Sequence, residues 1–380
     1  MGRWSHDVAV VGGGPAGALA AWRLARQGLG TLLIEKQRLP RPKVCGGGVV
    51  ARAWAELPAL PRSLEVLPLD AAELWVEGMG PLGRVARDRP IFHMVMRSDF
   101  DQALVDAARG AGARVLDGCS LRSLEARSSG LALGTSRGSF RARFVLAADG
   151  ASGACARLAG WSEPSGLVPA LEAEVAVTSA ELERHSGAAR FDLRFPKGGY
   201  AWSFPKRDHL SLGVLSARRP VPPLKLHLAR YLERLGLAKP RRIEIRGYRI
   251  PARPRAPARQ RILLLGDAAG LADPLTLEGI TGALASGRLA AEALIDGRLV
   301  QGAVERGYRA LLSRGIYPEL FLSRILARVL HGPAPIVHRL FRRLGQRAAE
   351  RLVSVFAGES SYRRLLRSWL LSRAGTSSAP

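Results

Sequence analysis

The chain is short of acidic residues, of cysteine and of long apolar runs. Among 380 residues, 32 Asp and Glu face 57 Lys and Arg, a formal net charge of +25. Such an excess attracts nucleic acid, anionic membrane and acidic substrates alike. It is spread along the chain with no recognition helix or aromatic platform, so nucleic acid is not the expected partner, and an arginine-rich proteome is the plain alternative. Three cysteines, Cys45, Cys119 and Cys155, cannot build a disulfide framework. No CxxC or His/Cys cluster stands at metal-ligand spacing, so no metal is expected. Three thiols also fall short of the four thiolates of an iron–sulfur cluster. No run reaches the roughly 18 apolar residues of a membrane span. Val8 to Val11 is too short for the apolar region of a signal peptide. The expected setting is reducing and cytoplasmic, with any bilayer contact peripheral at the inner face. The seven histidines show no pairing with Ser or Asp that suggests a triad. His93, inside an expected strand from Ile91 to Met96, reads as a core residue rather than a base.

What is present is organised by apolar periodicity. The 47% of apolar residues supports a packed interior, and the length suits two interleaved domains. Asp7 to Val11 reads as a buried strand, Ala16 to Gln27 as a helix and Thr31 to Glu35 as a second strand, a βαβ unit. Asp99 to Gly110 is a further helix and Arg143 to Ala148 a further buried strand. The pattern then alternates, as in Tyr200 to Pro205 and Leu210 to Leu215, which predicts antiparallel strands. Arg261 to Gly266 returns to a buried strand, followed by a helix from about Gly279 to Asp296. The expected fold is α/β, with a discontinuous Rossmann-like nucleotide domain (1–70, 97–165, 255–300), an antiparallel sheet (71–96, 166–254) and a basic helical region (301–380). Helices are expected there over Glu319 to Leu330, Val337 to Phe356 and Tyr362 to Ser372.

Gly12-Gly13-Gly14-Pro15-Ala16-Gly17 matches G-x-G-x-x-G in the context that gives the pattern meaning: a strand before, a helix after, and Glu35 at a strand end 23 residues beyond Gly12. Gly12 permits the turn, Gly14 the approach of a pyrophosphate, and Gly17 close helix–strand packing, while the helix N-terminus favours negative charge. Glu35 can accept hydrogen bonds from a ribose. Two later turns, Ala148-Asp149-Gly150 and Gly266-Asp267-Ala268, again set an acid at a strand end before small residues. There an acid can bind ribityl hydroxyls, or cap a helix.

Together with Arg97 and Phe100-Asp101, and with Arg157 behind the Asp149 turn, these motifs resemble the para-hydroxybenzoate hydroxylase-like FAD fold. Within it the chain most resembles the geranylgeranyl reductase family, over roughly residues 5 to 300. That narrower likeness rests on Pro42-Lys43-Val44-Cys45-Gly46-Gly47-Gly48, on Pro196 to Pro205, and on Asp273-Pro274-Leu275-Thr276-Leu277-Glu278-Gly279-Ile280. The resemblance implies that FAD is held by Gly12, Gly14, Pro15, Ala16, Gly17, Glu35, Lys36, Arg97, Asp149, Gly266, Asp267, Gly279 and Ile280. It places Cys45, Gly46 and Gly47 beside the flavin, with the glycines leaving room for an alkene. Cys45 reads either as a small buried hydrophobe or as a thiolate lowered by Lys43. Tyr200, Trp202 and Phe204 fall on one face of a strand. With Pro274 they are implied to wall a lipid-shaped pocket. Leu277 stands where the family often has glycine.

The implied activity is reduction of carbon–carbon double bonds in a lipophilic, isoprenoid substrate. A monooxygenase acting on an aromatic or prenylated metabolite, and an electron carrier to quinone, are the alternatives. Halogenation is disfavoured because no Trp-x-Trp-x-Ile-Pro segment occurs. No second glycine fingerprint appears, so NAD(P)H or a reduced electron-transfer protein is expected to dock transiently. Residues 301–380 hold fourteen Arg and four Glu, with Arg339, Arg342, Arg343 and Arg347 at helical spacing. A basic amphipathic surface of this kind suits anionic lipid, and a packed helix with a solvated arginine face is the simpler account.

Overall fold

The computed structural model describes residues 5–237 and 240–374, with side chains to 368. Its main sheet carries strands Ala258–Arg259, Ile262–Leu264, Gly138–Ala147, His6–Val11, Thr31–Ile34 and Arg114–Leu116 in that spatial order. From Ile262–Leu264 onward these strands run parallel. Val8 to Val11, Thr31 to Ile34 and Val145 to Ala147 are buried at every position, as expected where helices cover both faces of a parallel sheet. The helices Pro15–Arg26 and Ile280–Asp296 cross closely because both carry small residues. A Cβ on Gly287 would stand 2.4 Å from the Ala16 carbonyl oxygen. The hairpin Leu121–Arg127 and Gly130–Thr135 extends the sheet from Gly138–Ala147.

The second sheet has seven strands in the order Arg242–Pro251, Leu167–Ala176, His209–Ser216, Gly199–Pro205, Ala189–Leu193, Ala71–Val76 and Gly80–Ala86. It is antiparallel except where Ala189–Leu193 meets Ala71–Val76 in parallel, a pairing that local alternation cannot reveal. Ala201, Leu212 and Val214 face the helix Leu224–Arg234, whose Leu228 and Tyr231 complete a small core. Tyr200, Trp202 and Leu215 point the other way, into the larger core shared with the nucleotide domain. The strand expected over Ile91 to Met96 forms at Phe92–Val95. It pairs with Gly48–Val50 and Val66–Leu69 in a third sheet instead of joining the seven strands.

The C-terminal helices pack on both bodies. Gln301–Gly315 and Tyr317–Leu330 bury Val304, Tyr308, Leu312 and Leu320 against the nucleotide core. The helix expected over Val337 to Phe356 is two helices, Ala334–Leu344 and Gln346–Phe356, broken at Gly345 with φ +49. A left-handed residue ends a helix, and glycine takes that conformation at little cost. The second of the pair lies along Gly80–Ala86, where Gln346 donates to the Arg84 carbonyl at 2.8 Å. Its end brings Phe356 inward beside Phe92 and Phe191. No single helix among the described residues is long and apolar enough to cross a membrane.

Candidate flavin and substrate site

One cavity of about 460 Å³ extends from the first glycine turn to the second sheet. Its nucleotide end is built by steric necessity. Gly12 has φ +110, and a Cβ there would lie 2.3 Å from the Ala148 carbonyl oxygen; a Cβ on Gly17 would lie 2.0 Å from the Gly12 oxygen. Those two glycines let strand and helix meet. Gly14 differs, since the nearest atom to an added Cβ is Arg41 Nη2 at 3.7 Å. The protein does not need the room at Gly14, so what that glycine keeps open is space for a ligand over the N-terminus of helix Pro15–Arg26.

Glu35 is buried, and Oε2 accepts the Gly13 N–H at 2.8 Å. The same oxygen lies 3.3 Å from Arg41 Nε, while Arg41 Nη1 is 3.2 Å from Asp101 Oδ2. Arg97 grips Asp101 through two bonds of 2.9 Å. Arg97 therefore lines the cavity as part of a buried Glu35–Arg41–Asp101–Arg97 network. The linking residue, Arg41, carries no motif in sequence because its role comes from three elements converging. Lys36 lines the cavity beside Glu35.

The two later acids differ. Asp149 accepts the Cys155 N–H at 2.9 Å, so it does cap the helix Ala154–Leu158. Its Oδ1 is buried without a protein partner, and burial raises its proton affinity. Asp267 accepts the Tyr248 hydroxyl at 2.8 Å. Lys43 Nζ sits 3.4 Å above the Tyr248 ring, and burial pulls its pKa down to about 8 against the pull of Asp267. Gly266, Gly279 and Ile280 line the same wall. Arg157 is exposed and lies away from the cavity.

The other end is aromatic. Tyr200, Trp202 and Phe204 all line it, with successive ring centroids 6.1 and 6.3 Å apart. Phe191 stands 5.2 Å from Phe204, and Phe92 and Phe356 complete the wall. Tyr200 is pinned through its hydroxyl to the Thr276 carbonyl. Trp202 Nε1 is buried beside Gly46 with no hydrogen-bond partner in the protein. Phe92, Phe191 and Phe356 come from three separate segments, and only the assembled fold shows that they meet.

Two sequence expectations need correction here. Pro274 does not line the cavity; it opens the turn Pro274 to Thr276, from which Thr276 and Leu277 reach the wall. The glycines after Cys45 do not simply leave open space. A Cβ on Gly46 would stand 2.8 Å from Trp202 Nε1, and one on Gly47 would stand 2.1 Å from the Val95 carbonyl oxygen. Gly46 lets the loop press against the aromatic strand, and Gly47 lets it press against the end of strand Phe92–Val95. Cys45 itself is half-buried, lines the cavity, and faces the Arg97 guanidinium. His93 is stacked on Trp54 at 4.2 Å, and burial lowers its proton affinity, as befits a core residue. Leu277 takes φ +52, the left-handed conformation that glycine would adopt without strain.

Comparison with known proteins points to a flavoprotein family. Residues 7–58 match the FAD dependent oxidoreductase family model. The chain is 33% identical to digeranylgeranylglycerophospholipid reductase 1 of Methanopyrus kandleri, over 76% of this chain and 80% of that one. It is 30% identical to the chloroplastic geranylgeranyl diphosphate reductase of Oryza sativa subsp. japonica, over 85% and 75%. The crystal structure of a geranylgeranyl bacteriochlorophyll reductase-like protein from Thermoplasma acidophilum superposes with a TM-score of 0.76 at 24% identity, covering 91% of each chain. That last likeness bears on the fold.

Proposed function

Because the chain belongs to the geranylgeranyl reductase family of FAD-dependent oxidoreductases, we propose that it reduces carbon–carbon double bonds of an isoprenoid chain lodged in the aromatic cavity. The observation that carries this reading is the continuity of one cavity from the phosphate turn to six aromatic rings. FAD, when bound, supplies hydride transfer. The chain's own residues do the rest. Gly12 to Gly17 cradle phosphate over a helix N-terminus. Glu35 and Lys36 would hold the ribose, and Arg97, Asp149, Asp267, Gly279 and Ile280 would hold the remaining length of the cofactor. Asp149 Oδ1, without a protein partner, is a polar atom that bound cofactor would satisfy. Tyr200, Trp202, Phe204, Phe191, Phe92 and Phe356 exclude water and offer flat apolar surface, which suits a polyene and aligns it for reaction.

Anaerobic incubation of the reduced protein with a prenylated lipid, followed by mass analysis, tests the proposal. A gain of two hydrogens per bond is expected. Oxygen from labelled O₂ appearing in the product would replace this reading with a monooxygenase. Rapid oxidation by quinone without organic product would instead indicate an electron carrier. NAD(P)H or a reduced carrier protein is the electron source in this scheme.

A lipid-surface location fits such a substrate. Phe321 and Ile336 are each 63% exposed, and Ile325, Val329 and Leu340 are exposed near them on the bent helix pair Tyr317–Leu330 and Ala334–Leu344. Exposed Arg328, Arg339, Arg342 and Arg343 lie on the same pair. Apolar residues among cations support peripheral contact with anionic lipid.

A further inference from the structure

A second cavity of about 430 Å³ lies on the other side of the Cys45 loop. Pro42, Lys43, Cys45, Arg97 and Glu172 line both cavities and so form the partition between them. Part of the second cavity is walled by the paired strands Leu167–Ala176 and His209–Ser216. On the first, Glu172 and Glu174 share a face. On the second, Ser211 lies opposite Glu174, and His209 lies opposite Ala176. Their side chains run in series. Glu172 Oε2 accepts the Cys45 N–H at 2.8 Å, and Glu172 and Glu174 are close enough that the charge of Glu174 acts on Glu172. Glu174 Oε2 is 3.1 Å from His209 Nε2, an ion-pair contact whose angles fall short of a hydrogen bond, and His209 Nδ1 is 2.6 Å from the Asp208 carboxylate. The series begins at buried Glu172 and ends at Asp208, which is 85% exposed.

We propose that this series is a proton path. Glu172 supplies the proton of the reduction and is recharged from solvent through Glu174 and His209. The inference rests on the alkene-reduction reading. Saturating one C=C bond takes a hydride and a proton, forming two C–H bonds and breaking the π bond. The hydride comes from the reduced cofactor, and the proton leaves the Glu172 carboxyl. The resulting carboxylate takes a proton through Glu174 from the His209 imidazolium. Water at Asp208 restores the imidazolium, so one hydride and one proton are consumed and the protein returns to its starting state.

The surroundings hold Glu172 where such a role needs it. Burial and the Glu174 charge push its pKa up to about 7, close to the value at which an acid both holds and gives up a proton near neutrality. Lys206, from the end of the aromatic strand, spends its ammonium on the Gly46 and Val95 carbonyls at 2.7 and 3.0 Å. Ser211 Oγ approaches Glu172 Oε1 at 3.4 Å. Strand Arg242–Pro251 sets Arg246 and Glu244 in register with Glu172 and Glu174, with Arg242 beyond. Lys43, Cys45 and Arg97 share the partition with Glu172. No cation among the described residues forms a salt bridge with Glu172. Burial lowers the basicity of His209, but its contacts with Glu174 and Asp208 outweigh that and raise it above that of an ordinary imidazole.

Two measurements on the FAD-loaded protein decide the matter. In infrared difference spectra, a protonated-carboxyl band should vanish with a midpoint at about 7. Glu172→Gln should lack that band, and His209→Gln should shift its midpoint. Identical spectra for wild type and Glu172→Gln overturn the proposal. In anaerobic single turnover of a prenylated lipid, Glu172→Gln should slow reduction by about 100-fold. Glu172→Asp should recover part of the rate, and His209→Gln should shift the pH–rate midpoint, with melting temperature and photoreduction of the flavin unchanged. A wild-type rate and pH profile in Glu172→Gln would likewise overturn it. If the wild type reduces no prenyl bond, the functional reading fails, and the infrared titration still decides whether Glu172 carries an exchangeable proton linked to His209.

Discussion

Gly46 and Trp202 are so close that a single methyl group would not fit between them, since a Cβ at 46 would stand 2.8 Å from the indole Nε1 and 2.9 Å from Phe204. The loop that carries Cys45 and the strand that carries the aromatic wall are thereby held together, and their separation sets the width of the cavity. Gly46→Ala should cost about 1–3 kcal/mol through overpacking and weaken substrate affinity. Gly48→Ala meets only Met94 and Phe204 at 3.4 Å and should be nearly neutral. Thermal melts and substrate titration of both variants test the contrast.

The glycine turn divides in the same manner. Gly14→Ala should keep the melting temperature of the cofactor-free protein and lose most FAD affinity, because only the ligand needs that space. Gly17→Ala should destabilise the cofactor-free protein itself, its Cβ falling 2.0 Å from the Gly12 oxygen. Flavin titration beside calorimetry of the apoprotein separates the two outcomes.

Arg41 bridges Glu35 and Asp101 in a buried setting. Arg41→Met leaves two buried carboxylates short of a partner, which costs about 3–5 kcal/mol. FAD affinity should fall with it, since Glu35 would lose its cationic anchor and keep only its bonds from the Gly13 and Gln37 N–H groups. Chemical denaturation of the apoprotein and the FAD dissociation constant are the readouts.

His331 follows the helix Tyr317–Leu330, where burial and nearby Arg194 pull its pKa down to about 4 from 6.5. Arg194 donates to the Leu330 and Gly332 carbonyls on either side. A depressed folded-state value means that the contribution is complete above 6.5 and is lost as pH falls through about 4. Between those values the wild type should lose melting temperature faster than His331→Gln.

The exposed apolar residues of the bent helix pair make the lipid contact separable from chemistry. The double variant Phe321→Ser, Ile336→Ser should bind anionic vesicles at least about tenfold more weakly and keep its rate on a short, detergent-dispersed prenyl substrate. Vesicle co-sedimentation at rising salt should show the remaining, electrostatic part of the attraction disappear.

The phosphate turn was readable in sequence because its constraints are local. A tight turn, a close helix and an anion at a helix N-terminus each demand a residue type at a set spacing, and Gly12, Gly14 and Gly17 supply them. The Tyr200, Trp202, Phe204 stripe was readable for a similar reason, since strand pleating puts alternate residues on one face whatever lies opposite. Arg41, Tyr248, Phe191 and Phe356 were not readable. Each acts through a partner far away in sequence, as when Tyr248 reaches Asp267 and Phe356 enters a wall otherwise built from the second and third sheets. Pro274 shows the converse error, where a residue inside a recognisable motif opens a turn and only its successors Thr276 and Leu277 reach the cavity.

By itself, then, the sequence determined the family, the FAD cradle and the strand face that bears the aromatic rings, because those follow from backbone geometry and side-chain period over a few residues. Only the tertiary structure decided how wide the cavity is, which charges are buried together, and that Glu172 stands between two cavities. Those depend on packing between distant segments, where tenths of an ångström settle which atoms touch.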